Sequence, residues 1–117
     1  HDDELNAQSI LKHRDGTPNG VCFLSQQMGE KYLKAFLVFQ KHWFPKIHPV
    51  DKLLELCAEI DESFAQLQKE AVYLADFYAQ TRYPGDYPEF HWGDAEQAYE
   101  AATRIKEFVL EKLKAKQ

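Results

Sequence analysis

The chain has 117 residues, 44% of them apolar and 28% charged, and its formal net charge is −5. This is the length of one ordinary domain with enough apolar material to bury a core, and the balance excludes a disordered chain. An acidic surplus argues against a general nucleic-acid binder, and no apolar run reaches the ~18 residues that a membrane-spanning helix needs.

The first predicted helix, Asp2 to His13, is weakly amphipathic: Leu5 and Lys12 mark one face, Ile10 and Leu11 another. Asp15-Gly16-Thr17-Pro18 then forms a turn. The second helix, Pro18 to His42, is the expected centre of the molecule. Val21, Leu24, Met28, Tyr32, Ala35 and Phe39 recur at helical spacing, and Phe23, Leu33 and Leu37 make a second apolar face. A helix apolar on two faces is covered on two sides. Its remaining polar stripe is Gln27, Glu30, Lys31 and Lys34, spaced so that they stack along one side.

Pro45 and Pro49 interrupt the helical pattern between Trp43 and Pro49. A short third helix follows, Val50 to Ile60, with Leu53, Leu54, Leu56 and Cys57 on its apolar side. The fourth runs from Asp61, a natural N-cap, to Ala79, with Phe64, Leu67, Ala71, Leu74 and Tyr78 in phase. Gln80 to Trp92 is a loop, since Pro84, Gly85 and Pro88 break any helix. The last helix, Gly93 to Lys114, turns Ala95, Ala98, Tyr99, Ala102, Ile105, Val109 and Leu113 inward. No stretch alternates with a period of two, so the expected fold is all-α, an up-and-down bundle of four to five helices forming a single domain over residues 1–117.

His1 to Leu11 is polar and acidic, unlike a secretory leader. The expectation is a cytoplasmic protein in which Cys22 and Cys57 are reduced, buried thiols rather than a disulfide. The histidines are scattered without HxxxH or HExxH spacing, and no glycine-rich phosphate loop follows a strand, so neither a metal nor a cofactor is expected.

Three segments together resemble one family. Gln26-Gln27-Met28-Gly29-Glu30-Lys31-Tyr32-Leu33-Lys34-Ala35, within the stretch Asn19 to Leu37, resembles the signature helix of the HEPN (higher eukaryotes and prokaryotes nucleotide-binding) domain. His48 opening a leucine-rich helix resembles its next segment, and Thr81-Arg82-Tyr83-Pro84 resembles the one after its fourth helix. The closing helix from Asp94 through Ala98 and Ala102 also fits, so the resemblance spans nearly the whole chain in order.

The resemblance implies a helical bundle that commonly dimerises. Many prokaryotic members are encoded beside a minimal nucleotidyltransferase, often as a toxin–antitoxin pair, and some bind nucleotides. A subset are metal-independent ribonucleases that use an Arg followed closely by a His at the dimer interface. This chain departs from that motif: Tyr87, Pro88 and Glu89 stand where the histidine after Arg82 belongs, and the next one is His91.

Three readings follow. In the first, a dimeric module binds a nucleotide or phosphate group, alongside a nucleotidyltransferase partner. Lys31, Lys34, His48, Arg82 and Tyr83 line its site, with Glu30 and Gln27 in support. Arg offers a fork of donors that matches phosphate oxygens, and Lys offers a point charge. In the second, the protein serves interaction alone. In the third, it is a ribonuclease acting on RNA through Arg82, with His91 or His48 as general acid or base. Each residue also has a plain structural role. Glu30 pairs with Lys34 or reaches Arg82, His48 caps the third helix, Tyr83 and Tyr87 pack the loop down, and His91-Trp92 staples the start of the last helix. Trp43-Phe44 covers the core or meets a partner subunit.

Overall fold

The computed structural model describes residues 2–13, 17–41, 46–81 and 90–115. Among them run five α-helices and no strand: α1 Asp2–His13, α2 Pro18–Lys41, α3 Val50–Ile60, α4 Gln68–Thr81 and α5 Trp92–Ala115. The bundle is organised around α2, which touches each of the other four and packs most extensively against α5. Alanines at 95, 98, 101 and 102, all buried on α5, present a shallow surface that lets the two long helices lie close.

The periodicity places most elements correctly, but three expectations change. The fourth helix does not start at Asp61. Asp61 is extended (φ −141°, ψ 106°), and its carboxylate accepts from the Ser63 backbone N–H, so the chain first winds as a 3-10 turn, Glu62–Leu67. Only from Gln68 is it α-helical. On α2, Phe23 and Phe39, expected among the apolar faces, are 46% and 44% exposed, and Ala35 is exposed too. The buried side is instead Val21, Cys22, Ser25, Met28, Gly29, Leu33, Phe36 and Leu37. Finally, Lys34 of the polar stripe is only 8% exposed. The expected thiols are as read: both cysteines are free and buried.

Gly29 stands where four helices meet. A Cβ there would lie 3.1 Å from Leu74 of α4, 3.6 Å from Ile105 of α5 and 3.7 Å from Val50 of α3, and all three of those side chains are wholly buried. A larger residue on α2 at this point pushes its neighbours apart.

Polar ties fix the outer elements. Phe64 of the 3-10 turn stacks between Phe36 of α2 (centroids 4.5 Å apart) and Phe108 of α5 (4.9 Å, edge-on). Such aromatic pairs contribute about 0.5–1.5 kcal/mol beyond burial. Beside them, Asp61 accepts from the Ser63 hydroxyl at 2.6 Å and pairs with Lys112 at 2.9 Å. The Lys112 ammonium also lies 5.4 Å from the centre of the Phe108 ring. Glu4 on α1 pairs with Lys106 on α5, and the carboxylate raises the lysine's pKa. Arg104 joins Glu70 of α4 (3.3 Å) and Glu100 of its own helix (3.0 Å). At the start of α5, Asp94 accepts from the His91 backbone N–H at 2.9 Å, the reciprocal half of a capping box.

Two predictions follow from this packing. Gly29→Leu overpacks the junction and lowers the unfolding free energy by about 1–3 kcal/mol in denaturant titration. The second concerns pH. The hydrogen bond from the Ser63 hydroxyl, and then the Lys112 ammonium, hold the Asp61 carboxyl down at about 2. A carboxyl depressed in the folded state stabilises above its unfolded value of about 4 and ceases to do so as pH falls toward the folded one. Asp61→Asn therefore lowers the melting temperature at neutral pH, and the difference from wild type shrinks as pH drops from about 4 to about 2.

Candidate functional site

The site grows from the spacing on α2. Residues 27, 30, 31 and 34 lie three and four apart, so they share one side of the helix. Glu30 precedes Lys34 by one turn, the favourable order for an ion pair, and its Oε2 lies 3.3 Å from Lys34 Nζ. Burying an ammonium is costly unless it is paired, and here Glu30 is its first polar neighbour. The second is His48, whose Nδ1 sits 3.4 Å from Lys34 Nζ and 3.6 Å from Glu30 Oε2. Residues 46–49 enter α3 as a non-helical segment, and this brings the ring beside α2.

His48 is therefore not the cap of α3. The N-cap residue is Pro49, with no side-chain capping bond, and the histidine turns to the Glu30–Lys34 pair instead. Glu30 pairs with Lys34, as the simpler of its two sequence readings has it. Arg82 and Tyr83 lie outside the described residues, as do Tyr87, Trp43 and Phe44. His91 is brought to none of the α2 residues by any described contact. It belongs to the N-terminus of α5, its exposed ring 3.7 Å from Asp94. Trp92 next to it is half-buried against the core, consistent with a staple.

Sequence reasoning missed one half of the site. A groove of 670 Å³ runs along α2, lined by Gln27, Glu30, Lys31, Lys34, Ala35, Val38 and Phe39. One half is charged. The other is apolar and ends in the exposed Phe39 ring. The apolar half was legible only as core, because period alone does not say whether an apolar face is covered. The signal available was the excess of apolar positions on α2, more than its neighbours have surface to bury.

The arrangement offers point charges for an anion and, a helical turn away, a flat apolar wall. Among the described residues, no three His, Cys, Asp or Glu side chains are grouped to hold a metal. The thiols are chemically quiet: burial pushes Cys22 and Cys57 up to about 12, with Asp94 adding to the effect at Cys22. No described helix is long and apolar enough to cross a membrane.

These features define an all-α bundle that carries a mixed charged and apolar groove on its central helix. A family model for the HEPN domain matches residues 3–113. That is nearly the whole chain, so the protein belongs to the HEPN domain family. No curated protein and no solved structure matches it.

The buried thiols give a direct check. In the native protein at pH 8, neither cysteine reacts rapidly with a thiol reagent, and both titrate at once in guanidinium. Fast reaction of either in the native state would contradict its burial.

Proposed function

We propose that the chain acts as one domain, a dimeric module that binds a nucleotide or another phosphate-bearing ligand in the α2 groove and works with a minimal nucleotidyltransferase partner in a toxin–antitoxin-like pair. The observation that carries the ligand reading is the make-up of the groove: Lys31 and Lys34 in its charged half, with His48 beside Lys34, and Phe39 at the end of its apolar half. A nucleotide has the same polarity, an anionic end joined to a flat base. Lysine ammonium groups suit phosphate oxygens, and an exposed aromatic ring suits a base face. Gln27 and Glu30 line the same groove, and Glu30 also holds Lys34 in place. Arg82 and Tyr83 belong to the same reading as a donor fork and a second stacking surface.

The partner reading draws on family membership, and a cytoplasmic setting fits two free thiols. A role in interaction alone has one observation in its favour, the exposed Phe23, Val38 and Phe39 on the same helix.

Thermal unfolding across nucleotides and inorganic phosphate tests the ligand. A compound that binds only the folded protein stabilises it by about 2.7 kcal/mol at a hundred times its Kd, a rise of many degrees for a small domain. The expected result is a rise with at least one nucleotide that is reduced by Lys31→Ala, an exposed position, and by Arg82→Ala. No rise with any of them overturns the ligand and leaves the interaction reading.

A further inference from the structure

We infer that His48 is a proton-operated gate on the α2 groove: when its ring takes up a proton, the groove holds an anion more tightly at Lys34, so anion affinity rises as pH falls. The inference rests on the anion-binding part of the reading above and not on its partner or its oligomeric state.

One ring nitrogen has two neighbours that require opposite protonation states of it. His48 Nδ1 lies 3.4 Å from Lys34 Nζ and 3.6 Å from Glu30 Oε2. An ammonium only donates, so the Lys34 contact is attractive when Nδ1 offers a lone pair, in a neutral ring with its proton on Nε2. A carboxylate only accepts, so the Glu30 contact is attractive when Nδ1 carries a proton. No single state of the ring serves both. Glu30 Oε2 and Lys34 Nζ, 3.3 Å apart, close the triangle. The three side chains also differ in access to water. Those of Lys34 and Glu30 are 10% and 20% exposed, whereas that of His48 is 56% exposed. A proton therefore reaches the ring from solvent without any opening of the bundle.

Histidine is the side chain that changes charge between about pH 5 and 8. Among the described residues, the charged groups in contact with this ring are Glu30 and Lys34 of α2. Lys31 stands on the same side of α2, Lys46 lies in the ring's own segment, and Asp51 and Lys52 begin α3, where Lys52 pairs with Glu55. None of these four has a described contact with the ring. In the neutral state Lys34 donates to both neighbours, and its charge and that of Glu30 cancel. Protonation turns the contact between Lys34 and the ring repulsive and gives Glu30 a second cation to pair with. The trio then carries one net positive charge, and Lys34 and Glu30 both line the groove. An anion there meets a stronger field and accepts from Lys34. His48 itself does not line the groove; it acts through two residues that do, as a positioning residue. Linkage makes the effect reciprocal: an anion that favours the protonated ring raises the pH at which the ring titrates.

Phosphate monoesters change their own charge near about pH 6, so the probes are inorganic sulfate and a cyclic nucleotide, whose charges are constant across the range. Their affinities are measured by chemical-shift titration at about pH 5.5 and about pH 8, on either side of histidine's charge change. Wild type binds about fivefold or more tightly at the lower pH, the size of a typical coupling between two sites. His91→Gln, at the start of α5, keeps that ratio. His48→Gln, which accepts from Lys34 but does not titrate, brings the ratio to about one whatever its affinity. Nitrogen NMR of the ring reads the gate without a ligand: at the higher pH the His48 proton sits on Nε2, and adding a probe moves the titration midpoint upward. A proton on Nδ1 of the neutral ring overturns the gate. So does a ratio that is about one in wild type, or that persists in His48→Gln, and in those cases the anion site stands. Neither probe binding at either pH overturns the anion site and the gate together.

Discussion

Everything in this bundle depends on α2 being enclosed by four other helices, and the enclosure is close at Gly29. Leu74, Ile105 and Val50, from three different helices, converge where that residue has no side chain. A helix surrounded in this way cannot be uniformly apolar and still leave a functional surface. The outcome is a division around its circumference, with the side of Val21, Cys22, Leu33 and Phe36 sealed and the side of Phe23, Lys31 and Val38 left open. The glycine carries the usual conformational cost of about 1 kcal/mol in a helix interior, and close packing at the crossing offsets it.

The open side acquires its character from a partly buried ion pair. Lys34 is close to fully covered, yet its ammonium keeps Glu30 and His48 as neighbours. This joins the entry of α3 to the middle of α2 by polar contacts rather than by packing alone. It also sets where charge stands in the groove, since Lys34 is held on one flank and Lys31 projects from an exposed position on the other. Two unpartnered groups lie on the same helix: among the described residues, Ser25 Oγ and Gln26 Nε2 are buried with no hydrogen-bond partner. Such groups are expensive.

The elements were legible because their cause is local. Helical period and the prolines mark nearly every boundary within a residue or two. The error came at residues 61–67, where the hydrogen bonds of one aspartate hold the chain extended and then in a tighter turn, an effect that a period of 3.6 does not register. The site was half legible. Gln27, Glu30, Lys31 and Lys34 share a side by spacing alone, and Glu30–Lys34 is a pair by sequence order. That His48 meets this pair depends on how a non-helical segment crosses back to α2, which is tertiary geometry. That Phe23 and Phe39 face outward depends on how much surface the neighbours have to give, and a one-dimensional pattern does not contain that number.

The most extensive contact among the described helices, α2 against α5, joins segments separated in sequence by α3 and α4. On a ribosome, which extends a chain by about 5–20 residues each second, the central helix emerges well before its principal cover. For several seconds Val21, Cys22 and Leu33 have no α5 to lie against, whatever order of events the isolated protein follows when it refolds. The nascent chain is therefore most exposed to chaperones, and to its own aggregation, in the interval before α5 emerges. Shortening or delaying the last helix harms the yield of soluble protein more than the same change made at α1.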